Sequence, residues 1–254
     1  MAETADDLLK VEGLTKVFAG LTANEDISFT IPRGAICGLI GPNGAGKSTL
    51  FKTLLGVHRP TRGRIVLDGR DITGDSQQQR CRQGLCCTFQ IAESFNDLSI
   101  LEAVMVGAYS RLSRRTEAKA AAREAIAAVG LSDWEDLRYS ELNAFLRKKA
   151  ELATALATKP KLLLLDELFA GCSHQEIAEL IGLIDGLNRR DGITFIIVEH
   201  VLHVIMSLSA KVIVLESGRI LEVGSPREIS TSPAVLTAYL GEDYDADEHQ
   251  KFGR

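Results

Sequence analysis

A chain of 254 residues in which 45% of positions are hydrophobic can bury a sizeable core, and it stands at the upper end of what one domain holds. A formal net charge of −5 without a basic run speaks against nucleic acid as the main partner, because phosphate-backbone binding draws on a basic surface. Glu3, Asp6 and Asp7 stand where a signal peptide would be positive, and no apolar stretch nears the roughly 18 residues that span a bilayer, so the expected product is soluble or peripheral to a membrane.

In chain order, the first strand-like run is 35–40, entirely small or apolar, with Cys37 as a small core residue. It leads into Gly41-Pro42-Asn43-Gly44-Ala45-Gly46-Lys47-Ser48-Thr49. Glycines at 41, 44 and 46 permit backbone shapes that let successive N–H groups converge on phosphate oxygens at a helix start. Lys47 adds charge and the Ser48 hydroxyl can ligate Mg²⁺, so a nucleotide is the expected ligand. The helix that comes next carries Leu50, Phe51, Leu54 and Leu55 and stops at Gly56, which supplies the strand, loop, helix order that this chemistry requires.

Cys81, Cys86, Cys87 and Cys172 join Cys37 in an odd set of five without paired C-x-x-C spacing, which argues against zinc or a disulfide framework and fits a reducing compartment. Gln90 follows Cys87-Thr88-Phe89 and precedes alanine-rich helical patterning up to Ala157, with Thr116 as an expected N-cap and Gly130 as an expected stop. This region, about 91–157, is expected to form a helical subdomain inserted in a catalytic core within a single domain, 8–241. Placed between the two, Gln90 could bind Mg²⁺ or water when they close.

Lys161-Leu162-Leu163-Leu164-Leu165-Asp166-Glu167 reads as a buried strand delivering two carboxylates at its C-terminal end, where open α/β sheets gather ligands. Asp166 is placed to orient a water on Mg²⁺, and Glu167 to polarise an attacking water. Ile177, Leu180, Ile181, Ile184 and Leu187 follow a helical period. Ile193-Thr194-Phe195-Ile196-Ile197-Val198-Glu199-His200 repeats the buried-strand pattern, with His200 able to reach a γ-phosphate. A run at 212–215 and a Ser217-Gly218 hairpin turn come after it, and the chain ends in an acidic polar tail, 242–254. The predicted class is α/β: a mostly parallel, helix-covered sheet with an N-terminal antiparallel β part.

Together these residues resemble the nucleotide-binding subunit of an ABC transporter, from about residue 9 to 241. The resemblance implies that 41–49 is the Walker A loop, 162–166 the Walker B strand, Glu167 the catalytic glutamate, Gln90 the Q-loop and His200 the switch histidine. It also implies that Phe18 stacks on adenine. Gly84-Leu85, the segment from Ala155 to Lys161, Val198-Glu199-His200 and Ala238-Tyr239-Leu240-Gly241 are most similar to importer subunits for branched-chain amino acids; urea and amide importers share much of the pattern. Implied with the family are ATP, Mg²⁺, transmembrane permease subunits, a second ATP-binding subunit, a substrate-binding protein acting indirectly, and a place on the cytoplasmic face of the membrane.

One stretch departs from that family. Its signature, Leu-Ser-Gly-Gly-Gln or Leu-Ser-Tyr-Gly-Glu-Gln, aligns with Leu142-Asn143-Ala144-Phe145-Leu146-Arg147. A Cβ and ring at 145, where backbone N–H groups should meet a partner's phosphate, is expected to push the chain back or strain it. Leu168 stands for the usual proline after the glutamate, and Gly171-Cys172-Ser173-His174 for an Asn- or Asp-bearing segment. Because such subunits pack head to tail, the altered signature would impair the partner's site and leave this chain's own loop intact, which favours a heterodimer over a homodimer. Two functions are compatible with this: an ATPase half completed by a partner with an intact signature, or a regulatory subunit that binds ATP with little turnover. Soluble DNA- or ribosome-acting relatives carry long coiled coils or duplicated domains that are absent here, and Asp166-Glu167 with Gln90 and His200 suits water activation better than a small-molecule kinase.

Overall fold

The computed structural model describes residues 7–88, 95–199 and 201–240. The first half forms β1 (Asp7–Phe18), β2 (Leu21–Pro32), β3 (Ile36–Ile40), α1 (Lys47–Leu54), β4 (Arg62–Leu67), β5 (Arg70–Asp71), α2 (Gln77–Gln83), β6 (Leu85–Cys87), α3 (Ile100–Ala108) and α4 (Arg115–Ala128). The second forms α5 (Ala144–Ala157), β7 (Leu162–Asp166), α6 (His174–Asp191), β8 (Thr194–Val198), α7 (Leu202–Leu208), β9 (Lys211–Glu216), β10 (Arg219–Gly224), α8 (Pro226–Thr231) and α9 (Pro233–Leu240).

Two sheets divide the strands. A four-stranded antiparallel sheet has the order β2-β1-β4-β5, and a six-stranded sheet the order β10-β9-β3-β8-β7-β6. Within the larger sheet β9, β3, β8, β7 and β6 run parallel, and β10 closes one edge antiparallel. These are the α/β class, the parallel core and the antiparallel β part expected from the sequence.

The uniformly apolar strands are explained by burial on both faces. Side chains alternate across a strand, so Leu162 and Leu164 of β7, Ile196 and Val198 of β8, and Cys37 and Leu39 of β3 face the small sheet and α1, packing with Leu9, Phe29 and Leu50. Leu163, Leu165, Phe195, Ile197 and Val214 face the opposite way, into a helical core with Leu152, Leu180 and Ile184. Each such buried side chain contributes about 2 kcal/mol of transfer free energy, and together they fix the register that aligns the strand ends. Burial raises the Cys37 thiol to about 12, as suits an inert core residue.

Local chemistry sets the helix ends. Capping boxes at Ser76, Ser99, Ser173 and Ser225 start α2, α3, α6 and α8. Thr116 is not the cap of α4: the helix begins one residue before it, with Arg114 extended at the N-cap and paired at 3.4 Å with Glu117. Gly130, with φ of 68°, does stop that helix. Ser217 and Gly218 both have positive φ, 46° and 79°, the pattern of a type I′ hairpin turn.

Helices α3, α4 and α5 pack against one another on one side of the large sheet. Backbones of α3 and α5 approach so closely at Gly107 that a Cβ there would lie 2.2 Å from the carbonyl oxygen of Thr154. Gly107→Ala therefore forces the two helices apart, and chemical denaturation should register a loss of about 2 kcal/mol despite alanine's better helix propensity.

Candidate functional site

The parallel strands bring 41, Thr88, Asp166, Glu199 and Ser217 to one edge of the large sheet. A cavity of about 430 Å³ opens there, walled by 43–49 together with Leu21, Thr22, Ala23, Glu167, Val198, Ser217 and Gly218. Asn43, Gly44 and Ser48 are exposed to it, Thr49 is half-buried and Ala45 is buried. Pro42 follows Gly41, where a Cβ would meet the Leu215 carbonyl oxygen at 2.2 Å.

Gly46 caps α1 in the left-handed conformation, with φ of 96°. Its missing Cβ leaves room for the Ala23 carbonyl and the Asn24 amide, 2.5 and 2.6 Å from where that atom would stand. Among the described residues no side chain caps α1 and its first turn has no acidic residue, so its amides face outward as an anion site.

Neighbouring elements hold the loop in this shape. The fully buried Asn24 donates from Nδ2 to the Gly46 carbonyl at 3.2 Å. Gly218 at the hairpin tip donates its N–H to the Ala45 carbonyl at 3.1 Å and accepts from the Glu25 N–H at 2.7 Å. Tyr239 of α9 accepts the Gly41 N–H on its Oη at 2.6 Å, across 198 residues of sequence. Lys47 is 8% exposed, and its Nζ reaches back to the carbonyls of Gly41 and Pro42 at 2.6 and 3.0 Å. Burial lowers the Lys47 pKa, and the negative charges of Glu167 and Asp166 oppose that shift, so the three predicted residues share one field.

Asp166 ends β7 and Glu167 lies just past it, both with exposed side chains. Glu167 adopts φ of 49°, a left-handed conformation that costs about 1 kcal/mol for a residue with a Cβ. Its N–H is held by the Val198 carbonyl at 2.9 Å, and the next turn is anchored where buried Glu199 accepts the Phe169 N–H on Oε1 at 2.8 Å. Hydroxyl and carboxylate oxygens at Ser48 and Asp166 are the hard donors that Mg²⁺ takes alongside phosphate oxygens. Among the described residues no cluster of three or more His, Cys, Asp or Glu could hold a metal by protein ligands alone.

Phe18 and the 142–147 stretch lie elsewhere. Phe18 ends β1 and is not in the cavity wall; its ring meets His58 edge-on at 5.0 Å under the Lys16 ammonium at 4.6 Å, and its hairpin partner Leu21 does line the cavity. Gln90 and His200 lie outside the described residues. The 142–147 stretch starts α5, away from the cavity, with Leu142 buried and Ala144 at the first helical position. Asn143 is its N-cap, accepting the Leu146 N–H on Oδ1 at 2.8 Å. Phe145 is not strained: its backbone is helical, and its half-buried ring packs on the helical core with the Lys149 ammonium 5.7 Å away. Lys148 ties this helix to the loop after β7, donating to the Leu168 carbonyl at 2.7 Å.

Sequence reasoning assigns no site role to Asn24, Glu199, Gly218 or Tyr239. Tyr239 and Glu199 stand in segments that mark the importer subfamily, a signal of presence without a reason; Asn24 carries none.

A family model described as ABC transporter matches residues 24–170. The chain is 34% identical over 250 residues to the high-affinity branched-chain amino acid transport ATP-binding protein LivG of Salmonella typhimurium, across 92% of this chain and 98% of that protein. It is 32% identical, with the same coverage, to the corresponding protein BraF of Pseudomonas aeruginosa. Among solved structures, the ADP conformation of MJ1267, an ATP-binding cassette of an ABC transporter, superposes with a TM-score of 0.85 at 26% identity, over 93% of this chain and 99% of that one.

Tyr239→Phe leaves the Gly41 N–H without its partner while keeping the ring. One hydrogen bond of about 1 kcal/mol corresponds to roughly a fivefold loss of nucleotide affinity, read by titration with a fluorescent nucleotide. Unchanged affinity would mean that α9 does not position the loop.

Proposed function

The chain belongs to the ABC transporter family, whose ATP-binding subunits hydrolyse ATP, dimerise and work with transmembrane permease subunits, and on that premise we propose that it is one half of a composite site energising import of branched-chain or related amino acids. Among the described residues no helix is long and apolar enough to cross a membrane. The proposed location is peripheral, on the cytoplasmic face of the membrane, against permease subunits. A substrate-binding protein acts on it only through those permeases.

The observation that carries this reading is the meeting of the amide-lined loop, Lys47, Asp166 and Glu167 at one sheet edge. Loop amides from 43–49 and the α1 N-terminus bind the β- and γ-phosphates of ATP, and Lys47 exchanges its carbonyl contacts for phosphate oxygens. Ser48, Asp166 and Gln90 are the residues that would hold Mg²⁺, which when bound would supply charge neutralisation on the phosphates. Glu167 polarises the attacking water, His200 contacts the γ-phosphate, and Phe18 turns its ring to adenine. The strained backbone at 167, braced by Val198 and Glu199, aims that carboxylate into the cavity.

The start of α5 supports an asymmetric assembly. In the dimer each loop is completed by the other subunit's signature, and here Asn143 is committed to capping while Phe145 replaces the residue whose backbone should approach phosphate. A heterodimer with a subunit bearing an intact signature therefore gives one competent site, on this chain's loop. The region 91–157, including half-buried Phe95, is the proposed permease contact.

Glu167→Gln should cut phosphate release by a factor on the order of 10²–10⁴ in the assembled transporter while ATP still binds. Undiminished turnover would assign water activation to another group.

A further inference from the structure

The turn from α2 into β6 holds a pair of thiols that ATP chemistry does not use. Cys86 donates through Sγ to Cys81 Sγ at 3.2 Å, and Thr158 Oγ1 donates to Cys86 at 3.0 Å from the other side. Cys81 is half-exposed on α2, and Cys86 is buried, 2% exposed, against the helical core. Cys87 points through the sheet into the opposite core, so alternation along β6 leaves Cys86 as the neighbour of Cys81.

A disulfide needs the two sulfurs to close by about 1.1 Å, to the normal bond length near 2.05 Å. Gly84, at φ of 104°, joins α2 to β6 and is the pivot for that closure. The Cys86 hydrogen bond and the charges of Arg111 and Arg82 together hold the Cys81 thiol below its ordinary range, while donation to Cys81 and burial hold Cys86 above. Cys81 is thus the nucleophile and Cys86 the second thiol.

Closure has a mechanical route to the nucleotide loop. Arg80, next to Cys81, is buried, and its Nη1 caps the last turn of α1 through the carbonyls of Thr53 at 2.7 Å and Leu54 at 2.5 Å. Nη2 and Nε bind the carbonyls of Thr73 and Asp75 at 3.0 and 3.1 Å. These bonds satisfy orphan carbonyls at the end of the helix whose N-terminus faces the phosphates. Movement of α2 toward β6 pulls on that clamp.

We propose that Cys81 and Cys86 are a reversible redox pair, oxidised by a hydroperoxide, and that the closed bridge slows ATP hydrolysis by drawing Arg80 off the end of α1. The Cys81 thiolate attacks the peroxide; an S–O bond forms, the O–O bond breaks, and the leaving alkoxide or hydroxide takes a proton, leaving a sulfenic acid. Cys86 then loses its proton and attacks the Cys81 sulfur; the S–S bond forms, the S–O bond breaks, and hydroxide departs as water. Two thiols and one hydroperoxide give one disulfide, one alcohol or water, and one further water.

The test uses the full-length chain with its transporter partners. Hydrogen peroxide, alkylation of remaining thiols, and fragmentation of the linked peptides should give a Cys81–Cys86 bridge that dithiothreitol reverses, with hydrolysis slowed several-fold and recovered on reduction. Cys81→Ser and, separately, Cys86→Ser should prevent both the bridge and the slowing, and thermal melting checks that each is folded. Absence of the bridge, or Cys81 over-oxidised beside an alkylated Cys86, overturns the redox pair whatever the ATPase does. A bridge with unchanged hydrolysis, or slowing that persists in Cys81→Ser, overturns the coupling to α1 and leaves the nucleotide assignment untouched.

Discussion

A row of backbone amides can serve a polyphosphate only while the chain is prevented from folding those amides inward onto itself. The loop 41–49 meets that constraint through its neighbours as much as through its glycines. Asn24 grips the Gly46 carbonyl, the Gly218 N–H binds Ala45, and Tyr239 takes the Gly41 N–H. Each contact is worth about 1 kcal/mol, but all three act on one short segment, and their joint effect is to remove alternatives to the open shape. The two sheets exist, in this sense, to bring β2, the β9–β10 hairpin and α9 onto a single turn.

The same logic governs the carboxylate edge. Glu167 stands in a left-handed conformation that an isolated chain would leave, and the Val198 carbonyl and the buried Glu199 carboxylate keep it there. Strain at a carboxylate on the cavity wall, stabilised by two strands, is the pattern of a group whose aim matters more than its comfort. The α5 start shows the reverse. There the backbone is relaxed, capped by Asn143 and padded by Phe145, which makes a sound helix start.

The strands at 35–40, 162–165, 193–198 and 212–215 are legible in the sequence because burial on both faces leaves unbroken apolar runs. The loop at 41–49 and the hairpin at Ser217-Gly218 are legible because only certain residues tolerate their backbone angles. Helix starts are less so: Thr116 has the chemistry of a cap, yet an arginine two residues earlier takes the position and pairs with Glu117. β6, three residues long, is too short to show a period. The contacts of Tyr239, Asn24 and Arg80 join positions that pattern cannot relate, since each depends on which distant carbonyl or amide the finished fold sets beside it. Phe145 suggests strain in one dimension because its neighbours in the helical core are visible only in three.

In the proposed function, this chain carries a sound ATP loop and lacks the surface needed to complete the same loop in a second copy of itself. The most direct measurement is steady-state ATP hydrolysis by the purified chain alone, compared with the double variant Asn143→Ser, Phe145→Gly. The unaltered chain should bind ATP tightly and turn it over slowly, and turnover should be at least roughly tenfold faster in the variant, the gain expected from about 1.4 kcal/mol of restored transition-state contact. Rapid hydrolysis by the unaltered chain alone, with no gain in the variant, would contradict it.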